Sequence, residues 1–257
     1  MSSPRPLSGR IALVTGASRG IGRASAVALG AAGAKVIALA RVEGALEETD
    51  DAIRTAGGEP ATLVPLDLTE GEAIDRLGGE IFQRSRRLDI LVHAAAMMGG
   101  LRPASHIPPK LWDEMAATNL TGVFRLIRSM EDLLRQSDRP RAIFLTSSQA
   151  RRPQAFWGAY AAMKAGMEAL VRAWADELDS TPLRCVLLDP GPMRGGTRAR
   201  AFPGEDKAAL VDPAEIGPLI VELASASELG PPDSVVHFTD WRASRGVGEP
   251  SRSASDA

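Results

Sequence analysis

The sequence predicts an α/β protein with one doubly wound, seven-stranded parallel sheet and helices on both of its faces. Apolar runs of strand length recur along the chain, with longer helical patterns between them. The runs are continuous instead of alternating with polar residues, which indicates strands buried on both faces and therefore a parallel sheet. The helical patterns have the length that right-handed crossover connections need. Together these features are typical of a doubly wound architecture.

The elements follow one another in regular strand and helix alternation. The predicted strands are 11–14, 35–39, 61–66, 90–93, 142–145, 184–188 and 235–238. The predicted helices are 20–33, 42–56, 70–84, 110–135, 157–178 and 213–226.

The domain organisation is predicted to be simple. A chain of 257 residues can bury a substantial core, and one domain is expected. That domain spans 8–245, because no Pro-, Gly- or Ser-rich linker divides it and no internal repeat is present. Residues 1–7 are predicted to be a flexible N-terminus and residues 246–257 a disordered polar tail.

Charge and cysteine content exclude several classes of protein. The formal net charge is -2, so no global electrostatic case exists for binding nucleic acid or an anionic membrane. The single cysteine, Cys185, cannot form an intrachain disulfide and lies in an apolar run. With no apolar run long enough to span a bilayer and no secretion signal, a cytoplasmic location is expected. No metal site is predicted.

The first predicted strand leads directly into a glycine-rich turn and then a helix. Small residues there let the backbone approach a pyrophosphate, and the helix N-terminus offers free N–H groups. A tight turn without any ligand is the alternative. The residues predicted to bind the phosphates are Gly16, Ser18, Arg19, Gly20, Ile21 and Gly22.

The ends of the second and third strands bear on the choice of nucleotide. About twenty residues after the glycine loop, an NAD site carries an acidic residue for the ribose hydroxyls. This chain has Arg41 there, and a guanidinium can bind a 2′-phosphate bidentately, with Arg19 approaching the same group. NADP(H) is therefore predicted over NAD(H), unless both arginines are only solvated. Asp67 either accepts a hydrogen bond from adenine or caps the following helix.

A phenol and an ammonium lie four residues apart on the predicted helix 157–178. Tyr160 and Lys164 therefore share one helix face, and the ammonium is expected to lower the pKa of the phenol for acid–base work. Thr146-Ser147-Ser148 ends the fifth strand, where a hydroxyl can reach across the crevice. A serine pair that caps a turn is the ordinary alternative.

These motifs together resemble the short-chain dehydrogenase/reductase family, over most of the chain. The resemblance implies a Rossmann-like fold and a catalytic set of Asn119, Ser148, Tyr160 and Lys164. Family spacing also allows Ser147. It further implies that Ala95, Tyr160, Lys164, Pro190 and Gly191 contact the cofactor. Trp157-Gly158-Ala159-Tyr160 and residues 201–206 also resemble the YciK-type oxidoreductases, a bacterial subgroup.

Two segments depart from the family pattern. Where the family usually has Asn-Asn-Ala-Gly, this chain has His93-Ala94-Ala95-Ala96, which removes an amide side chain from the cofactor pocket. His93 itself is expected to be structural and not catalytic. The threonine often found five residues after Pro190 is replaced by Gly195, with Thr197 nearby.

The resemblance implies an NADP(H)-dependent carbonyl reductase or alcohol dehydrogenase. Ser148 would polarise the substrate oxygen, Tyr160 would transfer the proton, Lys164 would hold the nicotinamide ribose, and Asn119 would anchor a relay water. A catalytically weak, nucleotide-binding regulatory protein is the alternative, suggested by the altered segment after the fourth strand. Five arginines near the crevice suggest an anionic substrate: Arg151, Arg152, Arg194, Arg198 and Arg200.

A homodimer or homotetramer is expected. In the family the helices 110–135 and 157–178 pair across a two-fold axis. In this chain both helices carry apolar residues on more than one face, which is more apolar surface than one face of a sheet should cover. These residues are Leu126, Ile127, Leu133, Leu170, Val171 and Trp174.

Overall fold

A computed structural model describes residues 5–228, 230 and 234–246, and its centre is a seven-stranded sheet. The strands lie in the order β3-β2-β1-β4-β5-β6-β7, and every neighbouring pair is parallel. In chain order they are Ile11–Thr15, Lys35–Ala40, Thr62–Pro65, Ile90–His93, Arg141–Leu145, Arg184–Asp189 and Val235–His237, labelled β1 to β7. The predicted doubly wound sheet is confirmed.

Helices cover both faces of this sheet. The α-helices of the described residues, labelled α1 to α9, are Gly20–Ala31, Glu43–Thr55, Gly71–Ser85, Pro109–Ala116, Gly122–Arg135, Gly158–Glu177, Gly196–Ala201, Gly217–Ser225 and Phe238–Ser244. One core lies between the sheet and α1, α2 and α8. The other lies between the sheet and α3, α5 and α6. Continuous apolar strands are explained by this burial on both sides.

The strand order reverses beside β1, which pairs with β2 on one side and β4 on the other. In open parallel sheets a ligand crevice forms at such a reversal, outside the carboxyl ends of the strands. The glycine-rich loop follows β1 at this edge. The segments that follow β4, β5 and β6 begin at the same edge, so the fold brings the predicted site residues together.

The predicted helix 110–135 is helical throughout, but it contains a π-helical turn that was not predicted. The α4 helix ends at Ala116, a π-helical turn spans Ala117–Thr121, and α5 begins at Gly122. Periodicity did not show the turn, because the apolar spacing is α-helical within each flanking segment and only the phase between the two segments changes. π-Turns of this kind often occur at functional sites, and this one contains Asn119.

Other predicted boundaries also need correction. Leu7 is not part of a flexible terminus: its side chain is 1% exposed in the core, and its N–H donates to the Ala32 carbonyl at 3.0 Å. Phe238 begins α9 instead of ending β7. The segment after Pro190-Gly191, for which no helix was predicted, contains α7. The predicted N-terminal residues 1–4 and tail residues 247–257 lie outside the described residues.

No helix in the described part of the chain is long and apolar enough to cross a membrane. The cytoplasmic location stays a prediction. Of the apolar residues expected to need a partner subunit, five are buried within this one chain, namely Leu126, Ile127, Leu133, Val171 and Trp174. They do not argue for an oligomer, because this chain's own core already covers them.

Candidate active site

The glycine loop has the shape of a phosphate cradle. Gly22 packs against the start of the loop so closely that a Cβ there would lie 2.1 Å from the Gly16 carbonyl oxygen. Gly20 has a φ of 55°, and a Cβ built on it meets nothing within 4 Å. No side chain caps the N-terminus of α1 at Arg19. The first N–H groups of α1 therefore face open space, as an anion site requires.

The adenosine side of the crevice is open and polar. Arg41 is 72% exposed, and its guanidinium lies 3.6 Å from the Asp67 carboxylate. Asp67 accepts hydrogen bonds from the Thr69 N–H at 2.9 Å and the Thr69 hydroxyl at 3.0 Å. It is not the cap of α3, which begins at Gly71 after an N-cap at Glu70. Reading Asp67 as a helix cap is wrong, because its turn closes before the helix starts.

Arg19 lies on the other side of the loop. Arg19 is exposed, and its guanidinium lies close to the start of α7. A Cβ built on Gly196 would lie 3.9 Å from the Arg19 Cζ. The guanidinium thus borders both the phosphate cradle and the segment that follows β6.

The end of β4 lies beside the glycine loop. A Cβ on Gly16 would lie 2.7 Å from the Ala95 nitrogen, so the predicted cofactor residues Gly16 and Ala95 are neighbours. Nδ1 of His93 lies 2.9 Å from the Thr15 hydroxyl. Burial, and next the charge of Lys164, lower the pKa of His93 to about 3. A neutral histidine bonded inside the sheet fits the structural role expected of it.

Asn119 bonds to the segment that follows β4. Its Oδ1 accepts the Met97 N–H at 2.7 Å, and its Nδ2 donates to the Met97 carbonyl, also at 2.7 Å. Both ends of the amide are used, and the side chain is buried. The π-turn thereby holds the crevice wall after β4 in place. The turn also packs on the helix that carries Tyr160, where a Cβ on Gly166 would touch Leu120 at 3.3 Å.

Tyr160 and Lys164 face the interior from α6. The Lys164 ammonium lies 6.0 Å from the centre of the Tyr160 ring and donates to the Leu145 carbonyl at 2.6 Å. Burial lowers the pKa of Lys164 to about 8, although Glu168 and Asp189 oppose this. The predicted pair is therefore brought together, one helical turn apart and next to the end of β5.

The expected direction of the tyrosine pKa is wrong for this structure. We expected Lys164 to lower it, but the pKa of Tyr160 is raised to about 12. Burial disfavours the phenolate most, and the negative charge of Asp189 adds to the effect. Tyr160 is thus a neutral phenol near neutral pH, ready to donate a proton.

The serine pair lies where β5 ends. Ser147 is half-buried, and its hydroxyl accepts the Gln149 N–H at 3.3 Å. Ser148 is exposed and begins a short 3₁₀ turn. Both serines follow the carboxyl end of β5, and the assignment of the catalytic role to Ser148 stays a prediction.

An apolar and aromatic wall surrounds Tyr160. Trp157 lies edge-on to the Tyr160 ring with centres 5.8 Å apart, and Phe202 lies 6.1 Å from Trp157. Met98 and Met163 belong to the same buried cluster. Phe202 directly follows α7, so the segment after β6 covers this wall. Tyr160 is consequently only 9% exposed.

The arginines expected to attract an anionic substrate are mostly paired. Arg194 bonds to Asp212, and Arg198 bonds to Glu205 with its Nε at 2.6 Å. Arg151 bonds to Glu168 and to Asp189. Three of the five charges are thereby matched by carboxylates, which removes most of the expected positive field.

The contacts of Arg151 were missed by sequence reasoning. Glu168 accepts hydrogen bonds from the Arg151 guanidinium and from the Thr146 hydroxyl, the second at 2.6 Å. Asp189 accepts Arg151 at 2.6 Å and the Gly191 N–H at 3.1 Å, which fixes the Pro190-Gly191 turn. The one available signal was an acidic residue one turn after Lys164 on a helix face predicted to be buried.

The fold and the site define a dinucleotide-binding type of α/β enzyme. Residues 10–206 match the family model described as short chain dehydrogenase. The chain therefore belongs to the short-chain dehydrogenase/reductase family and is an oxidoreductase.

Relatives over most of the chain agree with this placement. This chain is 37% identical over 219 residues to the oxidoreductase YciK of Escherichia coli (strain K12), and the match covers 84% of this chain and 86% of that protein. It is 32% identical over 203 residues to an NADPH-dependent aldehyde reductase-like chloroplastic protein of Arabidopsis thaliana, with 74% of each covered. A crystal structure of a short chain dehydrogenase from Escherichia coli CFT073 complexed with NADPH has a TM-score of 0.87, 34% identity, and coverage of 91% and 98%.

Proposed function

We propose that this enzyme is an NADP(H)-dependent carbonyl reductase or alcohol dehydrogenase. The observation that carries the proposal is the buried pair of Tyr160 and Lys164, one helical turn apart beside the end of β5. The residues proposed to bind the nucleotide, to transfer the proton and to contact the substrate all follow the carboxyl ends of the strands at this edge of the sheet.

NADP(H) fits the residues that are present. The uncapped start of α1 and the open space at Gly20 would hold the pyrophosphate. Arg41 at the end of β2 would bind the 2′-phosphate, and Asp67 is within reach of the adenine. The solved relative complexed with NADPH supports the same nucleotide. Ala95 and the Pro190-Gly191 turn would border the nicotinamide.

The bound nicotinamide supplies or accepts the hydride, and the protein supplies orientation and proton transfer. In the reduction direction Tyr160 donates its phenolic proton to the substrate oxygen. The hydroxyl of Ser148 donates a hydrogen bond to the same oxygen and so withdraws electrons from the carbonyl carbon.

Two further side chains support this proton transfer. The Lys164 ammonium, 6.0 Å from the centre of the Tyr160 ring, would stabilise the phenolate that forms on Tyr160. Lys164 would also hold the nicotinamide ribose. Asn119, fixed on the Met97 backbone, holds the wall beside the relay that returns a proton to Lys164.

The substrate side of Tyr160 favours an apolar carbonyl compound. Its neighbours there are Trp157, Phe202 and Met98, and the nearby Arg198 is neutralised by Glu205. The Arabidopsis relative is named an NADPH-dependent aldehyde reductase-like protein. We therefore place aldehydes and ketones with apolar substituents ahead of anionic ones.

The test is a panel of aldehydes, ketones, quinones and 3-oxoacyl thioesters, each assayed by loss of NADPH and of NADH absorbance. Turnover of an apolar carbonyl compound with NADPH preferred is the expected result. Failure of every carbonyl class, or a preference for NADH, would contradict the corresponding part of the proposal.

We also propose that the enzyme is a homodimer or homotetramer. The exposed apolar residue on α5 is Phe124, at 47%, and the family pairs this helix with α6 across a two-fold axis. Light scattering at micromolar concentration should give a mass of two or four chains. A monomer mass would refute the assembly without touching the chemistry.

A further inference from the structure

Two buried carboxylates lie behind the Tyr160–Lys164 pair, and the proposed reaction does not use either of them. The Glu168 and Asp189 side chains are only 2% and 6% exposed. Buried charges are costly unless they are paired and fully hydrogen-bonded. Their partners therefore matter more than those of an ion pair at the surface.

Arg151 binds both carboxylates at once. One terminal nitrogen bonds to Glu168 Oε1 and the other donates to Asp189 Oδ2 at 2.6 Å. A planar guanidinium can divide its donors in this way, whereas a lysine ammonium on a flexible stem is a single point charge. Thr146 and Arg172 also bond to Glu168, and the Gly191 N–H donates to Asp189.

These contacts join three segments of the active site. Arg151 directly follows the 3₁₀ turn Ser148–Ala150. Glu168 lies on α6, one turn beyond Lys164, and Asp189 ends β6 directly before Pro190. One side chain thus links the serine segment, the tyrosine helix and the turn proposed to border the nicotinamide.

We propose that Arg151 is a positioning residue for the reaction. By neutralising Glu168 and Asp189 together, it holds these three segments in register and sets the charge that surrounds Tyr160 and Lys164. It contacts neither substrate nor cofactor in this role. The kinetic part of the proposal rests on the proposed function, while the structural and electrostatic parts do not.

The charges around the pair give the expected direction of any change. After burial, Asp189 adds to the raised pKa of Tyr160. Glu168 and Asp189 both oppose the lowering of the Lys164 pKa by burial. The charged and titratable groups in these contacts are Glu168 and Arg172 on α6, Arg151 after β5, Asp189 on β6, His93 on β4, and His237 on β7, 3.9 Å from Asp189. Loss of Arg151 leaves the two carboxylates less compensated, so the phenolate becomes harder to form. Asp189→Asn acts in the opposite direction.

The ionisation of Tyr160 can be measured without any substrate. Tyr160 is the only tyrosine in the chain, so phenolate absorbance in the near ultraviolet reports on it alone after subtraction of Tyr160→Phe. The fraction of phenolate is compared at the highest pH at which circular dichroism shows every variant folded. Arg151→Met should give less phenolate than the unmodified enzyme and Asp189→Asn more. The double variant should return toward the unmodified value.

The kinetic arm uses NADPH and the carbonyl compound of the panel that is turned over fastest. Arg151→Met should lower kcat by about tenfold or more with a smaller change in KM, because a misplaced reacting group costs the transition state most. For alcohol oxidation, the acidic limb of kcat/KM should move to higher pH. Arg151→Lys should recover only part of kcat, since it can serve one carboxylate.

A matched control separates this effect from general destabilisation. Arg125→Met removes another half-buried ion pair, to Asp75 at 3.2 Å between α5 and α3, and should alter neither the phenolate nor the pH profile. If Arg151→Met does not fold, Arg151→Lys and Asp189→Asn carry the same comparison. Unchanged phenolate in the Arg151 variants, or full kcat in Arg151→Lys, would overturn the inference. Shifted phenolate without turnover of any carbonyl would sustain it and reject the proposed function.

Discussion

The two halves of the crevice are built differently. Around Tyr160 and Lys164, side chains are buried and bonded to the ends of β5 and β6 and to one another. On the other side, Arg41 is exposed and Asp67 is half-buried, and the two side chains are 3.6 Å apart. The half around Tyr160 is fixed by buried side-chain hydrogen bonds, whereas the half around Arg41 is open to solvent. Substitutions in the first half should therefore change turnover, and those in the second should change affinity.

The largest effect is expected from the phenol of Tyr160. Tyr160→Phe keeps the ring against Trp157 and removes only the proton donor, so kcat should fall by roughly two to four orders of magnitude. Binding of NADPH, followed by fluorescence titration, should stay close to that of the unmodified enzyme. Retained turnover would show that another group transfers the proton.

The next largest effect on kcat is expected at the serine pair, and it decides whether Ser147 or Ser148 is the catalytic serine. Ser148→Ala should lower kcat by about tenfold to a thousandfold, because a donor to the developing oxyanion is lost. Ser147→Ala, its matched control, should mainly loosen the turn that its hydroxyl caps at Gln149. The reverse order of losses in steady-state assays would move the catalytic role to Ser147.

These residues also show what the sequence could and could not predict. Continuous apolar strands and the spacing of Tyr160 and Lys164 were sufficient for the sheet and for the proposed acid–base pair. The direction of the Tyr160 pKa was not predictable, because it depends on burial and on Asp189, a residue from a different strand. The bonds of Arg151 were missed for the same reason: their partners are 17 and 38 residues away in sequence.

The π-turn at Asn119 was beyond prediction for a different reason. Its insertion leaves the apolar pattern on both sides almost unchanged, so the pattern predicts one long helix. The resemblance located Asn119 as a functional residue, but only the structure shows how its amide holds the Met97 backbone.

Substitution of Arg41 tests whether this residue selects NADPH over NADH. Arg41→Ala should weaken NADPH binding by about 1.5 to 3 kcal/mol, roughly tenfold to a hundredfold, because a charged hydrogen bond to the 2′-phosphate is lost. NADH binding should barely change, and kcat at saturating NADPH should be kept. Isothermal titration with both nucleotides measures the difference. Equal losses for NADPH and NADH would mean that Arg41 does not read the phosphate.

The smallest effect concerns stability in the buried half, at His93. Its pKa is lowered from 6.5 to about 3 by burial and by Lys164, so the unfolded chain takes up a proton below about pH 6.5 while the folded chain does not. Stability therefore falls as the pH drops from 7 to 5, by about 2 kcal/mol from this one group. His93→Asn should remove that part of the pH dependence in urea unfolding. His106→Asn, at an exposed histidine, should leave the pH dependence as it is. If His93→Asn and the unmodified enzyme lose stability in parallel toward pH 5, then His93 is protonated in the folded chain, and the interior around Lys164 is more polar than its burial indicates.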